Sequence, residues 1–138
     1  MHMPIFAKPY TAGLLLIAVI SGCSSGDGLV ELHGNVTLDD KPLEEGLIAF
    51  VPAAGETAKA EAVIQNGAYS VRVAPGEKLV EIRGFKTVGH EHAVKGNPNS
   101  PLLPIRQDIV PVNYNEKSEL KCNVGTSSSS EDFVLRSR

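Results

Sequence analysis

Two hydrophobic rhythms succeed one another along the chain. Residues 14–20, Leu-Leu-Leu-Ile-Ala-Val-Ile, form an unbroken apolar run that ends in Ser21, Gly22 and Cys23. Its length matches the core of a secretory signal, about 7–15 residues, and falls short of the roughly 20 needed to cross a bilayer as a helix. From Val30 onward the period is two. Val30, Leu32, Gly34, Val36 and Leu38 alternate with Glu31, His33, Asn35 and Thr37, the pattern of a half-buried strand. Leu47–Val51 is apolar on both faces, which predicts a central strand ended by Pro52.

The sharpest local signal follows. Ala60–Ile64 and Tyr69–Val73 flank Gln65-Asn66-Gly67-Ala68, and Asn-Gly supplies the positive φ angles of a type I′ turn, so a β-hairpin is predicted. Asp39-Asp40-Lys41-Pro42 and Pro75-Gly76 read as further turns, and Leu79–Arg83 resumes the alternation with Val80 and Ile82 inward. Between Lys86 and Asp108 the pattern lapses. A connection of that length is far above the usual 4–6 residues and is expected to be a functional or mobile loop. Ile109–Val112, Glu119–Val124 and Phe133–Leu135 are expected strands, with a polar insert, Ser127–Ser130, before the last. No window has sustained helical periodicity, so the expected class is all-β, a sandwich or barrel of about seven strands.

Composition narrows the reading. Removing residues 1–22 from the 138 leaves 116, enough for one domain with a modest core. That cut loses only Lys8 among the charged residues, leaving 12 basic against 16 acidic groups, a net of −4. A general nucleic-acid binder would show a basic face instead. Cys23 and Cys122 are the two cysteines, and if Cys23 is modified no disulfide scaffold remains. Cys122 alternates with Leu120 and Val124 and is expected inward, as a small apolar residue rather than a reactive thiol. Tyr69 and Tyr114 are expected in or at the edge of the core, with hydroxyls bonded to backbone.

The candidate chemistry is sparse. His90-Glu91-His92 places two imidazoles on one side of an extended segment, but a zinc site needs three or four protein ligands and no further His or Cys lies near in sequence. His90 and His92 are therefore metal candidates only, and the expectation is no metal and no cofactor. His33 falls on the polar face of its strand and reads as solvated. Asp39, Asp40, Glu44 and Glu45 could offer oxygens to Ca²⁺, without the spacing of a calcium loop. Asn35-Val36-Thr37 fits a glycosylation sequon. No phosphate loop, nucleophile elbow or carboxylate pair in apolar surroundings is present, so no catalytic residue is assigned and the chain is not expected to be an enzyme.

Two resemblances extend this reading. Ile20-Ser21-Gly22-Cys23 resembles the bacterial lipobox, which implies a signal peptide over 1–22, acylation of Cys23 with diacylglyceryl and palmitate-type chains, and a tether over 23–28. Ser24 in place of Asp after the cysteine implies the outer membrane over inner-membrane retention. Gly34-Asn35-Val36-Thr37-Leu38-Asp39-Asp40-Lys41-Pro42-Leu43 and Gly46-Leu47-Ile48-Ala49-Phe50-Val51-Pro52 resemble the opening of bacterial transthyretin-like, or carboxypeptidase regulatory-like, domains. Asn66-Gly67-Ala68-Tyr69, Pro75-Gly76, Val80-Glu81-Ile82 and Val110-Pro111-Val112-Asn113-Tyr114-Asn115 with Ser118 and Leu120 resemble the family's later marks. Asp40 stands where that family usually has Gly. The resemblance implies a prealbumin-like (transthyretin-like, Ig-like) Greek-key β-sandwich of seven strands over 29–138, without catalytic residues. The expectation is then an exported envelope lipoprotein facing the periplasm or cell surface. It is held to the membrane by its N-terminal lipid and acts as a binding or scaffolding module for a protein or glycan partner, with no nucleic acid. The alternative is a small metal- or carbohydrate-binding protein using the 86–108 loop.

Overall fold

The computed structural model describes residues 26–53 and 58–138. The expected signal peptide, 1–22, and Cys23 lie outside the described residues. Ten strands follow in order: β1 (Val30–Leu38), β2 (Lys41–Pro42), β3 (Glu45–Pro52), β4 (Ala60–Gln65), β5 (Ala68–Val73), β6 (Gly76–His92), β7 (Leu102–Asp108), β8 (Lys121–Val124), β9 (Ser129–Ser130) and β10 (Phe133–Leu135). Among the described residues a single 3-10 turn, Val112–Tyr114, interrupts them. The main path of the sheet is β10-β1-β5-β4-β3-β6-β7, seven strands, with the short β2 and β9 joined to β1 and β8 joined to β6. The sheet curls over one core, and the fold is an all-β sandwich type, as the alternation implied.

Local chemistry sets the turns. Asn66 and Gly67 take φ of 51° and 81°, joining β4 to β5 as a tight hairpin. Asp39 and Asp40 take φ of 51° and 66° between β1 and β2, so short polar side chains do there what glycine does elsewhere. Leu32, Val36, Val80, Ile82, Cys122 and Val124, inward by alternation, are buried, and Ile48, Phe50, Ile64, Tyr69 and Val71 complete the core with them, whereas Leu47, in a run expected to be buried on both faces, is 43% exposed. At the centre of the core Phe50, Tyr69 and Phe133 meet with ring centroids 6.0–6.4 Å apart, in the range where tilted aromatic pairs attract. Position 34 admits only glycine, because a Cβ there would lie 1.8 Å from the Glu131 carbonyl oxygen.

The longest strand carries the departures from expectation. β6 spans 17 residues. One edge pairs with β3 from Lys78 to Gly84. The other edge meets β8 over Gly76–Leu79 and β7 over Phe85–His92. Between those two ladders the chain from Val110 to Leu120 crosses the edge. Ile109–Val112 was expected to be a strand, but Pro111 has no N–H for a ladder and Val112–Tyr114 tightens into the 3-10 turn. Side chains take over the pairing. The buried Asn115 donates from Nδ2 to the carbonyls of Ile82, Val110 and Pro111 at 3.2–3.4 Å, and the Ser118 hydroxyl donates to the Val80 carbonyl. Likewise 86–108 is not a loop: residues 85–92 extend β6 and 102–108 return as β7.

The strand directions give the molecule two poles. Val30, Val73, Pro52 and Gly76 lie at the pole where the N-terminal segment enters, and Leu38, Glu45, Gln65 and Gly84 at the other. The extension of β6 beyond Gly84 leaves the second pole. At roughly 3.3 Å per residue, Phe85–His92 carries the ribbon about 25 Å beyond the sandwich.

Asn115→Ala removes the side-chain donor from the Ile82 and Val110 carbonyls, while Pro111 keeps the Tyr114 N–H, and should lower unfolding stability by about 2–3 kcal/mol in urea titrations. The exposed neighbour substitution Glu119→Ala should change it by less than about 0.5 kcal/mol.

Candidate functional site

The arm formed by the end of β6 and by β7 has no residue of the buried core beyond its base. All seven residues of β7 are exposed. Val88, Val94, Leu102, Leu103 and Ile105 stand 40–60% accessible. The ladder slips between Thr87 and Gly89, leaving Val88 as the extra residue of a bulge. Charge holds the base of the arm to the body. Arg106 pairs with Glu45 at 2.7 Å, and Arg83 reaches Asp108 at 3.4 Å and Glu116 at 3.3 Å. Each exposed pair contributes little by itself, but together they orient the ribbon. The arm carries Lys86, Lys95 and Arg106 against Glu91 and Asp108, on a chain whose formal charge is −3.

His90 and His92 do share one face of the arm, as their spacing implied. Their cross-strand neighbours are Pro104 and Leu102, which offer no ligand atom, while Glu91 points to the opposite face with Leu103. Nδ1 of His92 lies 3.0 Å from the Ser100 carbonyl oxygen. No group of three His, Cys, Asp or Glu suited to a metal occurs among the described residues. His33 sits exposed on β1, opposite Ser70 and Ser130.

Beside the base of the arm lies an open cleft of about 850 Å³. Leu38, Pro42, Leu43, Phe85 and Ile109 give it an apolar floor, and Lys41, Lys86, Asp39, Glu44 and Glu45 its charged rim. Three of the four acidic residues considered for Ca²⁺ are engaged elsewhere. Asp39 accepts from the backbone N–H and hydroxyl of Ser137, Asp40 from Arg136, and Glu45 pairs with Arg106. The C-terminal tail is thereby latched to the β1–β2 turn, and Arg136 N–H donates to the Tyr114 hydroxyl at 3.1 Å. Sequence reading missed this latch, since its partners lie 96–98 residues apart.

The remaining singled-out residues are structural. The buried Tyr69 donates its hydroxyl to the Glu131 carbonyl at 2.7 Å, and desolvation pushes its ionisation well above the ordinary range. Cys122 is a free buried thiol raised above its usual pKa chiefly by burial and then by Glu131. At the opposite pole Asp27, in the expected tether, accepts from Arg72 at 2.9 Å and from the Leu29 N–H at 3.1 Å, so the chain is attached to β5 from that point.

Two outcomes follow from these environments. Cys122 should resist iodoacetamide at neutral pH in the folded protein and react fully in urea, as mass spectrometry would show; rapid labelling of the folded chain would contradict its burial. The Asp39 carboxyl is held below the usual carboxylate range by hydrogen bonds from the Ser137 side chain and backbone. Because the folded-state value is depressed, the Asp39–Ser137 contact contributes fully above the ordinary carboxylate value and is lost as pH falls through the lowered one. An NMR titration should place the Asp39 midpoint below that of an exposed aspartate, with Ser137→Ala moving it upward.

Comparison with known proteins adds little to this geometry. No family model and no curated protein sequence matches the chain. Among solved structures, a candidate adhesin from Bacteroides ovatus is similar over 85% of this chain and 49% of its own, at 17% identity and a TM-score of 0.45. A 9R-lipoxygenase from Cyanothece is similar over 79% of this chain and 16% of its own, at 13% identity and a TM-score of 0.38. The chain thus spans about half of the first and a small part of the second. Likeness at that level decides neither fold nor function, and the all-β assignment rests on the strand pairing itself.

Proposed function

We propose that the chain is an exported bacterial lipoprotein whose β-domain is a non-catalytic binding or scaffolding module of the cell envelope. In this reading residues 1–22 are removed as a signal peptide, Cys23 is acylated, 23–28 form the tether, and 29–138 form one transthyretin-like domain. Two or more acyl chains attach it stably, since each buried CH₂ contributes about 0.8 kcal/mol. Ser24 after the cysteine favours the outer membrane.

The observation that carries the binding role is the arm. A two-stranded ribbon with Leu103 and Ile105 exposed on one face and Leu102 on the other has no core of its own to serve, and adjacent exposed apolar side chains such as Leu103 and Ile105 are characteristic of interaction sites. It leaves the pole opposite the entry of the N-terminal segment. An anchor on Cys23 would therefore hold the arm away from the lipid surface, toward a protein or glycan of the envelope.

Two measurements separate the parts of this reading. Cys23→Ala should move the protein from the membrane to the soluble fraction and abolish the acyl mass on the mature N-terminus; unchanged membrane fractionation would refute the anchor. A photo-crosslinking residue at Leu103 should trap one reproducible envelope component in cells, while the same residue at Glu31 on the body should not. Equal trapping at both positions, or none at Leu103, would remove the arm as the contact surface.

A further inference from the structure

We propose that the arm pairs with the arm of a second copy of this chain, edge to edge along β6 and antiparallel about a two-fold axis between Val88 and Gly89. The two edges of the ribbon differ. The Val80 N–H donates to the Leu120 carbonyl at 2.8 Å and the Ile109 N–H to the Gly84 carbonyl at 2.9 Å, so the even-numbered residues of β6 present their backbone groups to the β8 and β7 side there. Phe85 and Thr87 therefore present theirs to the opposite edge. At the tip the Ala93 N–H donates to the Pro101 carbonyl at 2.8 Å, which fixes the other phase: Gly89 and Glu91 bond toward β7, and His90 and His92 face away. The extra residue Val88 makes the change of phase. Along this outer edge β3 pairs with β6 only as far as Gly84, and no strand among the described residues pairs with it from Phe85 to His92. On β7 the same alternation turns Pro104 outward, where it has no N–H to donate, so that edge is blunted and the β6 edge is the open one.

Charge and register together identify the occupant. Lys86 and Glu91 make no ion pair among the described residues. Antiparallel pairing that sets Lys86 opposite Glu91 of the second copy also sets Glu91 opposite its Lys86, and the same register opposes Thr87 to His90 and Val88 to Gly89. Thr87 and His90 are residues whose backbone groups face the open edge, so they exchange hydrogen bonds in both directions. The two bulges meet at the axis, and the ladder stays in phase on either side of it. Lys86 and Glu91 then form a non-hydrogen-bonded pair, with Cα atoms about 4.5 Å apart and side chains at their closest. Val88, 53% exposed, comes to lie against Gly89, which has no side chain to obstruct it. From Gly84 back, β3 occupies this side of β6, so the ladder ends at Phe85 and the tip of each copy turns aside into the open cleft that Phe85, Lys86 and Thr87 line. A two-stranded ribbon is marginal in water, and the pairing makes it four-stranded. It uses an edge and leaves Leu103 and Ile105 on a face, so it goes beyond the partner proposed above, and its failure would leave that reading standing.

The test is sedimentation of the Cys23→Ala chain, which should show a monomer–dimer equilibrium. Lys86→Glu and Glu91→Lys, both at exposed positions outside the core, should each weaken the dimer roughly tenfold, because one reversal acts on both symmetry-related pairs. Lys86→Glu/Glu91→Lys in one chain should restore it. Oxidising a mixture of Lys86→Cys and Glu91→Cys chains should join one of each through a disulfide, since the Cα spacing of the pair suits that bond, and either chain alone should give far less. A chain that stays monomeric at millimolar concentration, a dimer indifferent to the single reversals or not restored by the double one, or a disulfide formed as readily between two Gln107→Cys chains, on the β7 side, would each overturn the assignment.

Discussion

The backbone of the 17-residue β6 has two edges, and satisfying both where the strand runs through the sandwich is the constraint from which the rest of the structure follows. One edge is met throughout the sandwich by β3. The other edge is met in three ways: by β8 at the entry pole, by β7 beyond the sandwich, and between them by a crossing segment that is not a strand. An unpaired buried carbonyl costs free energy comparable to a lost hydrogen bond, so the crossing segment must supply donors. Asn115 and Ser118 do so. The same segment places Val110 against Gly84, where a Cβ would come within 2.7 Å of its Cγ2, and turns Tyr114 toward the C-terminal tail.

Once β6 has left the sandwich its pairing with β7 has no core on either face. Its order then comes from the ladder itself and from Arg83 and Arg106 at the base. The arm pole consequently gathers what the body does not need for folding: exposed apolar side chains, a cleft with Lys41 and Lys86 on its rim, and a tail latched to the β1–β2 turn. The entry pole has the opposite character, with Asp27 clipped to Arg72 where the chain joins the sheet. This polarity is what suits the domain, in the reading proposed above, to a tethered module that presents one end.

The parts of the fold that could be read in the sequence are those in which one face is buried or one turn has its own chemistry. β1, β4 and β5 show alternation because their two faces see different solvents, and Asn66-Gly67 announces its turn through the φ angles those residues tolerate. The arm was illegible for the same physical reason. With both faces wet, nothing selects for alternation, and the bulge at Val88 breaks the period that does exist, so 86–108 resembles a loop. Ile109–Val112 misleads in the other direction: its β-branched residues look like a strand, while Pro111 and the bonding of Asn115 decide the conformation. The facing of His90 and His92 could be read from spacing, but their neighbours Pro104 and Leu102 could not. The cleft likewise depends on residues from β1, β2 and β6 that only the folded chain brings together.

Amide hydrogen exchange along residues 76–108 tests the central claim, that one strand runs continuously from the sandwich into a paired arm. The account predicts protection persisting past Gly84 at amides paired across β6 and β7, graded downward toward the tip at 93–101. Exchange at the rate of an unstructured peptide throughout 86–108, with protection ending at Gly84, would contradict it.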